Sequence, residues 1–225
     1  MESEFRAASA VKSGHALSRF VTWNGPLGEG VARMSDPYAH DEYLIRRKIL
    51  TIFGAKFHVY DSSGRVILFS RQKAFKLKED IRVYSDESEA EERLIIKARQ
   101  IIDFSAAYDV VEAASGSKIG ALRRKGFSSI IRDSWEFLDQ ADQPIGTILE
   151  DSTAMALLRR FLTTLIPQSF HVKVGGADVA EYHQNFNPFV FKLRVRLYPG
   201  ARERISPLLV LAGGILLAAV EARQG

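Results

Sequence analysis

From Tyr43 onward the chain alternates short apolar stretches with turn signals. "KFHVY" (56–60) meets "DSSG" and returns as "RVILFS" (65–70). "YDVVEA" (108–113) meets "ASGS" and returns as "KIGALRRK" (118–125). "SWEFLD" (134–139) meets "QADQ" and returns as "PIGTILED" (144–151). "FHVKV" (170–174) meets "GGAD" and returns as "VAEYHQ" (179–184). Apolar runs of this length between Gly-, Ser- and Asp-rich breaks predict hairpins. The returning strands echo one another: Ile119-Gly120-Ala121-Leu122, then Ile145-Gly146-Thr147-Ile148, with Val179-Ala180 a fainter copy. A repeated hairpin unit is the expected cause.

The clearest strand is "FKLRVRLY", where Phe191, Leu193, Val195 and Leu197 take one face and Lys192, Arg194 and Arg196 the other. That is period-two alternation with a core face and a basic solvent face. "AFKLK" and "IRVY" behave similarly. In "SEAEERLIIKARQIIDF", Ser88 and Glu91 form a capping box, so a short helical turn is expected there, followed by a strand from about Ile95. "DSTAMALLRRFLTTLIP" reads as an amphipathic helix ended by Pro167.

The pattern changes at the C-terminus. From Leu208 to Val220, thirteen residues carry no charge and no polar side chain. Ser206 can cap this helix and Pro207 can open it. It spans roughly 20 Å, against about 30 Å for a bilayer core. Apolar on every face, it must be surrounded completely. The small residues Ala212, Gly213, Gly214, Ala218 and Ala219 would let walls approach closely. About a dozen strands between Tyr43 and Tyr198 would close into a barrel too wide for its own side chains to fill. A helix of this kind would plug it. The expected fold is therefore mainly β (α+β): about twelve antiparallel strands in a barrel over 41–225, a central helix at 205–222, and one amphipathic helix. Residues 1–40, with the turn-rich "WNGPLGEG", read as a flexible N-terminal arm, and "MSDPYAHDEYLIRRK" leads from it into the barrel. The rival reading places the terminal helix in a bilayer, with Gly214 and Ala218 as a packing face.

Within this architecture, "YLIRRKIL", "FHVYDSSGRVILFSRQKAFKLKEDIRVYSDES", "IGALRRKGFSSIIRDSW", "LLRRF", "NPF" and "LLAAVEARQ" resemble the LURP-one-related family. That family is similar to phospholipid scramblases and to the tubby C-terminal domain. The resemblance covers about Tyr43 to the C-terminus and implies a twelve-stranded barrel around a hydrophobic C-terminal helix. It also implies a lipid-facing role, since tubby-like domains bind phosphoinositides and scramblases move phospholipids. The chain departs from scramblases in having no cysteine and no proline-rich N-terminal region. "DQADQPIGTILE" has the length of a calcium loop, but Ala141, Gln143 and Pro144 stand where oxygen ligands and glycine are needed.

Composition removes several chemistries. Without cysteine there is no disulfide, thiolate nucleophile or thiolate zinc site. No secretory leader is read, and a cytoplasmic location, with peripheral membrane contact, is the expectation. The histidines (His15, His40, His58, His171 and His183) lack metal-ligand spacing, and no nucleophile elbow or phosphate loop is present. No catalytic residue, metal or cofactor is expected. The net charge of +4 permits anionic partners without requiring them.

The candidate site is therefore basic. Arg123, Arg124 and Lys125, with Phe127 beside them, and Arg159 and Arg160 form a candidate lipid-binding patch. Arg46, Arg47 and Lys48 form a second cluster. The ordinary reading of each cluster alone is a solvated strand face. Taken together they favour a non-enzymatic module for anionic phospholipid headgroups or a membrane surface. The alternatives are a lipid-translocating protein and a protein-interaction scaffold. Nucleic acid is not an expected partner, because aromatic interleaving is missing.

Overall fold

The computed structural model describes residues 36, 38–48, 55–72, 80–99, 106–125, 134–150, 168–185 and 190–221. Twelve strands follow one another: β1 (Glu42–Lys48), β2 (Ala55–Tyr60), β3 (Val66–Gln72), β4 (Ile81–Tyr84), β5 (Glu92–Ala98) and β6 (Ala107–Glu112), then β7 (Lys118–Arg124), β8 (Ser134–Leu138), β9 (Pro144–Glu150), β10 (Ser169–Val174), β11 (Ala177–Asn185) and β12 (Val190–Leu197). Each strand pairs with its sequence neighbours, and β1 pairs antiparallel with β12, so the sheet closes. The helix α1 (Pro207–Glu221) follows β12. The amphipathic helix expected at 151–167 and the strand "AFKLK" fall outside the described residues.

The helix is the core. Every residue from Leu209 to Ala219 is buried. Around it stand inward residues of every wall, among them Ile45, Phe57, Leu94, Leu122, Trp135, Phe137, Ile148, Val172 and Val195. The helix has no solvent stripe because it has no solvent side. Among the described residues no helix is long and apolar enough to cross a membrane. Tyr182 of β11 donates a 2.7 Å hydrogen bond to the Val210 carbonyl, fixing the helix against that wall. Burial raises the Tyr182 hydroxyl pKa well above its ordinary value, so it stays a donor. At the other end of α1, Arg47 reaches the Ala218 carbonyl, a favourable place for a cation.

The echo among the returning strands has a structural cause. In β2–β3, β4–β5, β6–β7, β8–β9 and β10–β11 the register slips once near the turn. The extra residue always sits on the second strand: Ile67, Arg93, Ile119, Ile145 and Val179 respectively. Such bulges raise the local twist that closing a sheet requires. Ile67, Ile119 and Ile145 pack against the core, and Val179 belongs to it. Arg93 breaks this pattern; Tyr38, also packed against the core, lies near it. In β7 and β9 the residue after the bulge is a glycine with no room for a Cβ. A Cβ at Gly120 would collide with the Leu138 carbonyl, and one at Gly146 would lie 2.6 Å from the Lys173 carbonyl.

The turns are set locally. Gly175 and Gly176, with φ of 57° and 82°, form the two-residue connection of β10–β11, where positive φ is needed at both positions. The expected helical turn at Ser88–Glu91 is a strand connection instead, and β5 begins at Glu92. Asp86 and Ser88 accept hydrogen bonds from nearby backbone N–H groups, Ser88 and Ala90 respectively, and Glu89 takes φ 59°. These bonds favour a turn, and the apolar Leu94-Ile95-Ile96 stretch favours strand.

Asp61 organises the β2–β3 turn. Its carboxylate, 1% exposed, accepts from the backbone N–H of Ser63 and Arg65, the Ser63 hydroxyl and the Arg65 guanidinium. Those bonds, the Ser63 hydroxyl foremost, outweigh burial and hold its pKa at about 2. A depressed carboxylate stabilises the fold above its unfolded pKa and loses that contribution as pH falls through its folded one. Asp61→Asn is expected to cost about 2 kcal/mol near pH 7, with the gap from the parent closing between about pH 4 and pH 2. Urea unfolding across that range checks it; a gap independent of pH would show that charge is not the cause.

Candidate functional site

Alternation along the strands divides the basic clusters found in the sequence. On β7, Leu122 and Arg124 share one face; Arg124 pairs across from the buried Trp135 and so faces the barrel interior. Arg123 faces outward and pairs across from Glu136. Glu136 accepts from Arg123 at 2.7 Å and forms an ion pair with Lys125 at 2.7 Å. Burial pushes the Glu136 carboxyl up, but the bonds and charges of Lys125 and Arg123 bring it below its ordinary value. The Arg123–Lys125 run is thus one lumenal arginine and two cations sharing a carboxylate, not a free patch. Phe127, Arg159 and Arg160 lie outside the described residues.

The second cluster divides the same way. Tyr43, Ile45 and Arg47 face inward, with the Arg47 guanidinium 5.5 Å from the Phe57 ring centroid. Arg46 faces outward, its guanidinium 5.4 Å from the ring centroid of Tyr60. Lys48 ends β1, and its side chain lies outside what is described.

Closing the barrel creates a grouping that neither cluster contains. Arg46 of β1 stands directly opposite Lys192 of β12, and Leu44 opposite Arg194. On the far side of β12, Arg194 is paired with His183 of β11. Arg46, Lys192 and Arg194 therefore project together from the outer wall. Among the described residues no carboxylate forms an ion pair with any of them. The neighbouring Arg196 differs: Glu42 holds it at 2.9 Å and Glu181 at 3.7 Å. Most other surface cations are paired too. Arg99 and Lys118 bridge Asp109 and Asp142, and their hydrogen bonds lower the Asp142 pKa. Like charges placed directly opposite on a sheet cost stability. The Arg46–Lys192 pair bears that cost with no acid paired to it among the described residues.

The described histidines, His40, His58, His171 and His183, are scattered and form no constellation among the described residues. His58 is 2.9 Å from Glu87, His183 is 2.8 Å from the Ser169 hydroxyl, and His40 lies 3.9 Å from Asp61. Asp139 accepts from two backbone N–H groups of its turn, those of Ala141 and Gln143. Among the described residues no group of three or more His, Cys, Asp or Glu could hold a metal ion.

The sequence marked the basic face of β12 but not its partner. Arg46 and Lys192 are neighbours only because the first strand meets the last.

A closed antiparallel barrel with an enclosed hydrophobic helix and a basic outer face is thus the class of protein defined. A family model described as LURP-one-related matches residues 66–212, well over half of the chain. The chain belongs to the LURP-one-related family. No curated protein matches it, and no solved structure does.

Proposed function

We propose that this protein is a non-enzymatic binding module for anionic phospholipid headgroups or a membrane surface, acting peripherally in the cytoplasm. The observation that carries the reading is the outward trio Arg46, Lys192 and Arg194, none ion-paired with a carboxylate among the described residues. Each basic group near an anionic membrane contributes about 1 kcal/mol. Three together give a weak attraction that salt should screen. Arg123 and Lys125 contribute less, because Glu136 already offsets part of their charge.

Co-sedimentation with phosphatidylcholine vesicles, with and without phosphatidylserine, tests this at low salt. The parent protein should bind only the anionic vesicles. The triple variant Arg46→Gln, Lys192→Gln, Arg194→Gln should lose binding by about a hundredfold with its fold intact. Equal partition of the parent into both vesicles, or none into either, would end the proposal.

A further inference from the structure

The proposed membrane role leaves open what the patch distinguishes. We infer that it reads the density of negative charge on a surface and not the stereochemistry of one headgroup. This rests on the reading just given and deepens it.

Selective recognition of a phosphate needs donors held in place, such as backbone N–H groups at a helix start, a nest or a buttressed arginine. The patch sits on a wall that offers none of the first two kinds. β11, β12, β1 and β2 are each hydrogen-bonded to a strand on both sides, because the barrel is closed. Their ladders therefore engage the backbone that would otherwise orient an anion. What remains is side chains on long flexible stems. Among the described residues, Lys192 and Arg194 make no side-chain hydrogen bond that would fix them, and Arg46 is steadied only by the Tyr60 ring.

Among the described residues the exposed apolar component is also small. Val66 is the one large hydrophobic side chain exposed among the described residues, and it belongs to β3, not to the strands of the patch. Cations on long stems, on an outward-facing wall whose backbone is engaged in the sheet, respond to how many negative charges lie within reach. A headgroup free in solution lacks the summed attraction of a charged surface. The recognised class is an extended anionic lipid surface.

The test uses full-length protein and phosphatidylcholine vesicles containing phosphatidylserine, phosphatidylglycerol or a phosphoinositide, adjusted to the same surface potential. Partition should agree within about twofold across the three. It should fall together for all three as salt rises. Free inositol phosphate or inorganic phosphate should displace the protein no more than sodium chloride of equal ionic strength. A preference of tenfold or more for one headgroup at matched potential would overturn the inference. So would displacement by a free headgroup at micromolar concentration. Either result leaves the membrane-binding proposal standing. Failure to bind any of the three vesicles would overturn both.

Discussion

Gly214→Leu is expected to lower stability by about 3 kcal/mol or more, because the helix has no room beside it. A Cβ at Gly214 would lie 2.8 Å from Ile45 Cδ1 and 3.3 Å from Val195 Cγ2, on the two strands that close the barrel. Ile45 and Val195 are fully buried, so neither can move into solvent. Alanine at this position would gain about 1 kcal/mol of helix propensity, which offsets part of the crowding. Leucine adds further carbons to the same space, so crowding dominates. Gly213 meets other strands: its Cβ would lie 2.8 Å from the Tyr182 hydroxyl of β11 and 3.2 Å from Phe137 Cζ of β8. Substitution there also displaces the hydroxyl that bonds the Val210 carbonyl. The adjacent glycines thus share Tyr182 but otherwise face different strands, as a helix enclosed on all sides requires. Urea denaturation reads the loss directly. A change under about 0.5 kcal/mol for Gly214→Leu would mean that the glycine faces open space or lipid.

Much of this architecture can be read from side-chain periodicity. Phe191, Leu193, Val195 and Leu197 alternate with charged residues and are buried as that alternation demands. The uninterrupted apolar run from Leu208 implied enclosure, and its length argued against a bilayer span. The Ile119-Gly120 and Ile145-Gly146 echo is a bulge residue followed by a position with no space for a Cβ. Periodicity also separates Arg46 from Arg47 and Arg123 from Arg124, though adjacent cations invite reading as one cluster.

Other features depend on register between strands far apart in the chain. Nothing near Arg46 indicates that Lys192 is its neighbour, because β1 meets β12 only when the barrel closes. Glu136 resembles any strand glutamate until pairing sets it opposite Arg123. The Ser88–Glu91 pattern suits a helix start or a turn, and the tertiary demand for a strand at Leu94–Ile96 decided between them. Local signals determine which residues face inward; long-range pairing determines which charges meet.

The central claim is that the strands of this chain surround α1. Because the sequence contains no cysteine, one introduced thiol is a clean reporter. Leu216 of α1 is 1% exposed, and Leu216→Cys removes volume and so avoids overpacking. The substitution itself costs roughly 2 kcal/mol, leaving a few kcal/mol of typical domain stability to protect the thiol. Labelling with a water-soluble maleimide, without detergent or lipid, should therefore run at least about a hundredfold slower than in denaturant. The rate should rise through the urea unfolding transition. Labelling of the native protein at the unfolded rate, or protection seen only once vesicles or detergent are added, would contradict an enclosed helix.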